Sequence, residues 1–255
     1  MSSEGNKVIY VVTHKAYEFP QGKLYIPVQA GAALSGDLGY QRDDEGINIS
    51  EKNPNYCELT ALYWAWKNST ADYIGICHYR RYFGKSAFGS RQNRLLDSET
   101  LERICIKDAV VLPRKRNYYI ETNYSQYIHA HNRQDLDETR KIIETSFPDY
   151  LSTYDSVMGK TSGHRFNMMI MRRDIMDSYC SWLFAILFLL EATLDISSYS
   201  DYNRRVFGFV GERLLDVWIE KNGIQYVELP VVNTEDQHWI RKIASFLLRK
   251  LTYRE

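Results

Sequence analysis

The sequence predicts an α/β fold: a mixed, mostly parallel sheet flanked by helices in a single domain. Three observations carry this reading. Short β-branched runs alternate along the chain with stretches of helical hydrophobic period. Polar segments follow several of those runs, and "HYRRYF" stands at one such strand end. No internal repeat, low-complexity tract or linker divides the 255 residues, a length at which one domain buries a substantial core.

The elements follow in order. "KVIYVVT" at residues 7–13 reads as a buried strand that delivers the polar "THK" at its carboxyl end, and "LYIPVQAGAAL" at residues 24–34 reads as a second strand or extended piece. Residues 36–55, rich in Gly, Asp and Asn, read as a long loop without hydrophobic period, a kind of segment that is usually functional or disordered. "YCELTALYWAWKN" places Leu59, Leu62, Tyr63 and Trp66 on one helical stripe. "ADYIGICHYRRYF" begins as an apolar strand and ends in His78, Tyr79, Arg80, Arg81 and Tyr82. "DAVVLPRK" from Asp108 is a further strand, and "DLDETRKIIETSFPDY" from Asp135 is a charged amphipathic helix that stops before Pro148. "FNMMIMRR" is strand-like, residues 175–194 form a long helix, "GERLLDVWIEKNG" is a helix closed by Gly223, and "IQYVELPVV" is a final strand.

Composition narrows the function. Lys plus Arg and Asp plus Glu are equal at 32 each, so the footprint of a dedicated nucleic-acid binder is missing and any basic site is local. The start of the chain has too short an apolar stretch for a signal peptide, which gives a cytoplasmic expectation. Cys57, Cys77, Cys105 and Cys180 are widely spaced, the pattern of reduced thiols rather than of a zinc site or disulfide framework. "WLFAILFLL" at residues 182–190 falls well short of the roughly 18 apolar residues of a membrane span and reads as a core helix. Twenty tyrosines suit a protein that meets sugars or bases through faces with polar handles.

The chemistry concentrates at "HYRRYF". In an extended segment His78 and Arg80 share one face while Tyr79 and Arg81 share the other, unless the chain has already turned. Both faces are then polar, a pattern suited to a strand tip opening into a cleft, and parallel sheets bind ligands outside their carboxyl ends. Two successive guanidinium forks fit a diphosphate. In the alternative arrangement the arginines pair with carboxylates elsewhere and the tyrosines pack.

Four stretches in order, "NISEKNPNYCELTALYWAWKN", "DYIGICHYRRYF", "FNMMIMRRDIMDSYCSWLF" and "RVFGFVGERLLDVWI", resemble a bacterial domain-of-unknown-function family of capsular and exopolysaccharide loci whose members are glycosyltransferases. The resemblance spans residues 8–232. It implies a GT-A-like, Rossmann-like nucleotide-sugar fold and transfer of a hexose, galactose or galactofuranose, from its UDP donor to a lipid-linked glycan of capsular, exopolysaccharide or O-antigen synthesis. Such enzymes commonly hold a divalent metal with an Asp-x-Asp motif; the sequence has none, and "ICHYRR" occupies the comparable place. Arginines can supply the charge that a metal would bring to the departing diphosphate, so metal-independent transfer is expected. Asp72, Asp108 and Asp174 are isolated acids that leave manganese or magnesium open.

Inverting transfer needs a base for the acceptor hydroxyl. Glu212 is the first choice, at the expected start of a helix with Gly208 and Gly211 letting backbone approach the ligand. Asp43 and Asp44 are the competing acids, placed in the long loop to bind ribose hydroxyls, to contact the acceptor or simply to be solvated, and Glu58 is a third acid. Ser162, His164 and Asn167 resemble the element that contacts sugar hydroxyls, whereas Met168, Met169 and Met171 read as core. Thr13, His14 and Lys15 stand where this fold class receives base and ribose, and Tyr79 completes the expected substrate contacts.

The tail, residues 237–255, reads as a basic amphipathic helix with Trp239, Ile240, Ile243, Phe246, Leu247 and Leu251 on one face, suited to the inner membrane surface or to packing on the domain. The competing function is a non-catalytic carbohydrate-binding or scaffold subunit of a polysaccharide assembly complex. Nucleic acid is not an expected partner.

Overall fold

The computed structural model describes residues 5–86, 88–105 and 110–234. The basic tail and Asp108 lie outside the described residues. In chain order the strands are β1 (Lys7–Thr13), β2 (Tyr25–Gln29), β3 (Gln41–Arg42), β4 (Tyr73–His78), β5 (Arg81–Phe83), β6 (Val110–Pro113), β7 (Arg116–Asn117), β8 (Ser162–Gly163), β9 (Met169–Arg172), β10 (Tyr226–Leu229) and β11 (Val231–Asn233). The helices are α1 (Asn53–Tyr56), α2 (Leu59–Asn68), α3 (Arg91–Arg94), α4 (Ser98–Cys105), α5 (Asn123–Ile128), α6 (Arg133–Ser146), α7 (Leu151–Gly159), α8 (Arg173–Thr193) and α9 (Val206–Lys221).

Nine strands form one sheet in the order β10-β6-β9-β4-β1-β2-β3, with β5 and β11 paired alongside the end of β4. The β4-β1-β2-β3 half is parallel, and β10 is parallel to β6. Strand β9 runs antiparallel to both β4 and β6 and makes the sheet mixed. "IQYVELPVV" is divided at Pro230, which has no N–H for a ladder: β10 lies parallel to β6, and β11 turns to pair antiparallel with β5.

Alternation along the central strands builds two cores. Val8, Tyr10, Val12, Ile74, Ile76, Met169 and Met171 face the larger core beneath α2, α6, α8 and α9, while Ile9, Val11, Cys77, Met168 and Ile170 face a smaller one that includes Leu101 and Cys105 of α4. Gly75 lies between these strands because an added Cβ would come within 2.9 Å of Ile9 Cγ1 and 3.0 Å of Ile170 Cγ1. Helix α8 is long and apolar enough to cross a membrane, yet half of its most apolar window is buried inside the domain. It packs on α2, α6 and α9.

Two boundaries differ from expectation. The region after β2 is not a featureless loop: it holds β3, two 3-10 turns and α1, knitted together by Asp43. Helix α9 begins at Val206, so Glu212 lies nearly two turns inside it rather than at its start.

Candidate functional site

The parallel register of β1 and β4 sets Val12 against His78, so "THK" and "HYRRYF" emerge side by side at the carboxyl end of the sheet. There the chain turns. Tyr79 and Arg80 form a tight corner, and Arg81 returns as the first residue of β5, paired with His78. Three bonds fix the corner: Tyr79 N–H donates to Val12 O at 3.1 Å, Thr234 N–H to Arg80 O at 3.1 Å, and Thr234 Oγ1 to Tyr79 O at 3.1 Å. Strict alternation therefore fails at this position. Tyr79 is buried against His14 and Tyr17, with the Lys15 ammonium 5.0 Å above its ring, while His78, Arg80 and Arg81 line a crevice.

The crevice has two lobes that share Cys57, Glu58, His78, Arg80 and Arg205. One, of about 340 Å³, is walled by Val12, Thr13, His14, Ala30 and Asn53. The other, of about 310 Å³, carries Arg80, Arg81, Arg116, Arg165, Arg205 and Arg213 against Glu58 and Glu212. Six guanidiniums facing two carboxylates make an anion-favouring site. Its far wall is aromatic: His131 lies 4.2 Å from Phe209 and 5.5 Å from Tyr202, ring centre to ring centre. Such faces suit sugar rings.

Strained backbone gathers at this crevice. Cys57, Phe166 and Asn167 hold positive φ of 54°, 79° and 49°, unusual for residues with a Cβ and characteristic of functional sites. The last two residues hold the acids. Phe166 N–H donates to Glu212 Oε1 at 3.1 Å, and Asn167 Nδ2 donates to Glu58 Oε1 at 2.7 Å and to Gly208 O at 3.1 Å. Arg213 Nη1 reaches the second oxygen of Glu212 at 3.1 Å. Phe166 also stacks beneath Arg81, whose guanidinium carbon is 4.4 Å from the ring centre.

The electrostatics distinguish these groups. Burial, with Glu212 as a second cause, raises the Glu58 carboxyl above its ordinary value. Burial and then the neighbouring Arg80 and Arg81 push His78 down to about 3, and burial followed by Arg80, Lys15 and Arg205 lowers His14. Both imidazoles are neutral near pH 7. Arg80 N–H donates to His78 Nδ1 at 3.2 Å, which leaves the proton of that ring on Nε2. His78 thus brings a neutral donor to the arginine pair, not a third cation. The Cys57 thiol is pushed up to about 12 by burial and by Glu58, so it stays protonated beside Arg205.

Several expected site residues lie elsewhere. Asp43 is fully buried, accepting from the N–H groups of Gly31 and Ala32 at 3.0 Å each and from Ser50 Oγ and Thr60 Oγ1. It shapes the turn beyond β2 and offers no free oxygen to a ligand. Asp44 is held by both arms of Arg42, 3.0 and 2.6 Å away. Ser162 and His164 line a separate cavity behind the crevice, where His164 is buried between Asp216 and Glu228. Asn167 is buried and acts on Glu58 rather than on open space. Thr13 lines the smaller-charge lobe, its hydroxyl donating to Lys15 O at 2.7 Å. Asp72 and Asp174 flank a shallow depression apart from the crevice. The two glycines of α9 serve packing: an added Cβ at Gly208 meets Cys57 at 3.3 Å, and one at Gly211 meets Leu59 at 2.8 Å.

Arg116, Arg165, Arg205 and Arg213 carry no sequence signal that groups them with the strand-end cluster. They come from three separate segments, and only the fold turns them towards one space.

An open, mostly parallel α/β sheet with a cationic crevice outside its strand ends defines the class of domain. The chain belongs to the family described as domain of unknown function (DUF4422), whose profile matches residues 8–223. It is also similar to a solved structure described as the WbbM bifunctional glycosyltransferase in its apo form, with a TM-score of 0.81 and 31% identity over 91% of this chain. The chain spans 46% of that structure's length. No curated protein matches it.

Proposed function

We propose that this protein is a glycosyltransferase that moves a hexose, galactose or galactofuranose, from a UDP-sugar to a lipid-linked glycan of capsular, exopolysaccharide or O-antigen synthesis. The observation that carries the reading is the junction of the two lobes, where Arg80 and Arg205 meet Glu58. A transferase needs stabilisation of a leaving diphosphate and a proton acceptor within one cavity. The similarity to a solved glycosyltransferase supports the same reading.

In this reading the lobe at Thr13 and His14 receives the nucleotide, and the aromatic lobe at His131 and Phe209 receives the acceptor. Arg80, Arg81 and Arg205 hold the diphosphate, with His78 donating from Nε2. The acceptor hydroxyl attacks the anomeric carbon from the face opposite UDP. Its proton passes to a carboxylate as the new C–O bond forms, and the bond to UDP breaks with its electron pair on the departing phosphate oxygen.

Glu58 is placed better than Glu212 for the proton. Both oxygens of Glu212 are engaged by Phe166 N–H and Arg213, whereas Glu58 lines both lobes at their junction and is made more basic by desolvation and by Glu212. Glu212 keeps a like charge beside it. Arginines supply the charge on the diphosphate, so transfer proceeds without a divalent metal, at the cytoplasmic face of the membrane where lipid-linked acceptors lie.

Purified protein incubated with a panel of UDP-sugars and a lipid-linked saccharide fraction is the direct test, with release of UDP followed in EDTA and in manganese. Release in EDTA that disappears in Glu58→Gln is expected. No turnover with any donor, together with no binding of UDP, overturns the reading; turnover only with manganese overturns the metal-independent part.

A further inference from the structure

The segment between β6 and α5 gives Arg116 and Tyr118 to the crevice and also carries side chains that lie outside it. Arg114, Lys115 and Arg116 are exposed in succession, and beyond β7 Tyr119 is 82% and Ile120 94% exposed. These are among the most exposed large apolar side chains of the described residues, and they occur side by side. The turn that presents them is built rather than loose. Tyr119 takes a left-handed φ of 63°, held by its N–H donating to Asn117 Oδ1 at 2.7 Å, and Ile120 N–H donates to Tyr118 O at 2.8 Å. On the near side Tyr118 N–H is fixed to Thr161 O at 2.8 Å; on the far side the Thr122–Ser125 capping box starts α5.

Tyr118 shows which way the segment faces. Its hydroxyl accepts from Arg165 Nε at 2.8 Å in the crevice wall, so the same turn sends Tyr118 to the aromatic lobe and its two successors to solvent. Strained backbone that projects an aromatic and a branched aliphatic side chain calls for an occupant. The flanking charge indicates which one. The basic run matches anionic head groups, tyrosine favours the water–lipid boundary, and the segment's one acid, Glu121, is paired with His129 at 2.5 Å.

We propose that residues 114–120 are a docking edge for an anionic phospholipid bilayer, with Tyr119 and Ile120 entering the head-group layer and Arg114 lying over anionic head groups while Arg116 faces the crevice. The edge borders the lobe assigned above to the acceptor. It rests on the glycosyltransferase reading only for its purpose, because lipid binding is measured without turnover. A lipid-linked acceptor would then reach the crevice along the surface on which the protein sits.

The test is flotation of the full chain with vesicles of phosphatidylglycerol or of phosphatidylcholine alone, comparing wild type with Tyr119→Ser/Ile120→Ser and with Arg114→Gln. UDP binding to each variant, measured in parallel, reports an intact crevice. The expected result is binding to the anionic vesicles only, weakened about tenfold by the double variant and about fivefold by Arg114→Gln, with UDP affinity unchanged. Equal flotation of wild type and the double variant overturns the proposal, because the lipid contact then lies elsewhere on the chain. Equal binding to the two lipid compositions overturns its charged part.

Discussion

Asn167 Nδ2 donates to Oε1 of Glu58 at 2.7 Å from a backbone held at φ 49°, one residue after Phe166 has donated its N–H to Glu212. One strained dipeptide therefore positions both acids of the crevice. Asn167→Gly keeps the left-handed conformation and removes only the amide. In the proposed reaction kcat falls by about tenfold or more, as for other groups that orient a reacting side chain, while the Kd for UDP changes little. Steady-state rates and UDP titration of this variant check the split. A loss confined to UDP affinity would place Asn167 in the nucleotide site instead.

The basicity of Glu58 has two causes, burial first and Glu212 second, and they separate by mutation. A base must be unprotonated, so kcat/KM falls as pH drops through its raised pKa. In Glu212→Gln the like charge is gone and burial remains. The acidic limb of the pH profile therefore moves to lower pH without reaching the position of a solvent-exposed glutamate. A limb that stays fixed in Glu212→Gln, or moves upward, removes Glu58 from the role of base.

The fold was legible because its signals are local and repeated. Strand alternation at residues 7–13 and 73–78 and the stripe Leu59, Leu62, Tyr63, Trp66 each report burial from neighbouring positions alone. The site was legible in part. Histidine and two arginines at a strand end declare themselves, but the turn at Tyr79 that reverses their faces depends on Thr234, more than 150 positions along the chain. Asp43 and Asp44 look alike in sequence, and only the folded neighbours Gly31, Ser50 and Thr60 make one of them a buried brace. Arg165 and Arg213 lacked a signal because convergence across the sheet has no period.

His78 also reports on stability. Its folded pKa of about 3 lies below the ordinary 6.5, so the unfolded chain binds the proton more readily. This contribution is fully present above pH 6.5 and is lost as pH falls from there towards 3. His78→Asn flattens that dependence, and between pH 7.5 and 5 the drop in unfolding free energy shrinks by up to about 2 kcal/mol. Urea denaturation at the two pH values measures it. The His14 imidazole is lowered in the same direction, by burial first and then by Arg80.

Arg80 and Arg81 have different surroundings. Arg81 lies over Phe166, and Arg80 borders both lobes at the junction. Loss of a charge-assisted bond to a diphosphate costs about 1.5–3 kcal/mol, so Arg80→Ala weakens UDP about tenfold or more. Arg80→Lys recovers only part, because an ammonium cannot present a fork. Uridine, which has no phosphate, binds wild type and variant alike. Calorimetric titration with UDP and uridine decides, and equal affinity of Arg80→Ala for UDP would remove the diphosphate from this corner.

Asp43 and Asp44 give the sharpest contrast between neighbours. Asp43→Ala leaves two backbone N–H groups and two hydroxyls without their buried acceptor, at a cost of about 3 kcal/mol or more. Asp44→Ala breaks a partly exposed pair with Arg42 and costs less than about 1 kcal/mol. Thermal unfolding should therefore separate the two variants by many degrees. The effect on ligand runs the other way from what a contact residue would give: Asp43→Ala protein that remains folded binds UDP with wild-type affinity, since its carboxylate faces the turn at Gly31 and not the crevice. Full stability combined with lost UDP binding in Asp43→Ala would return that carboxylate to the ligand.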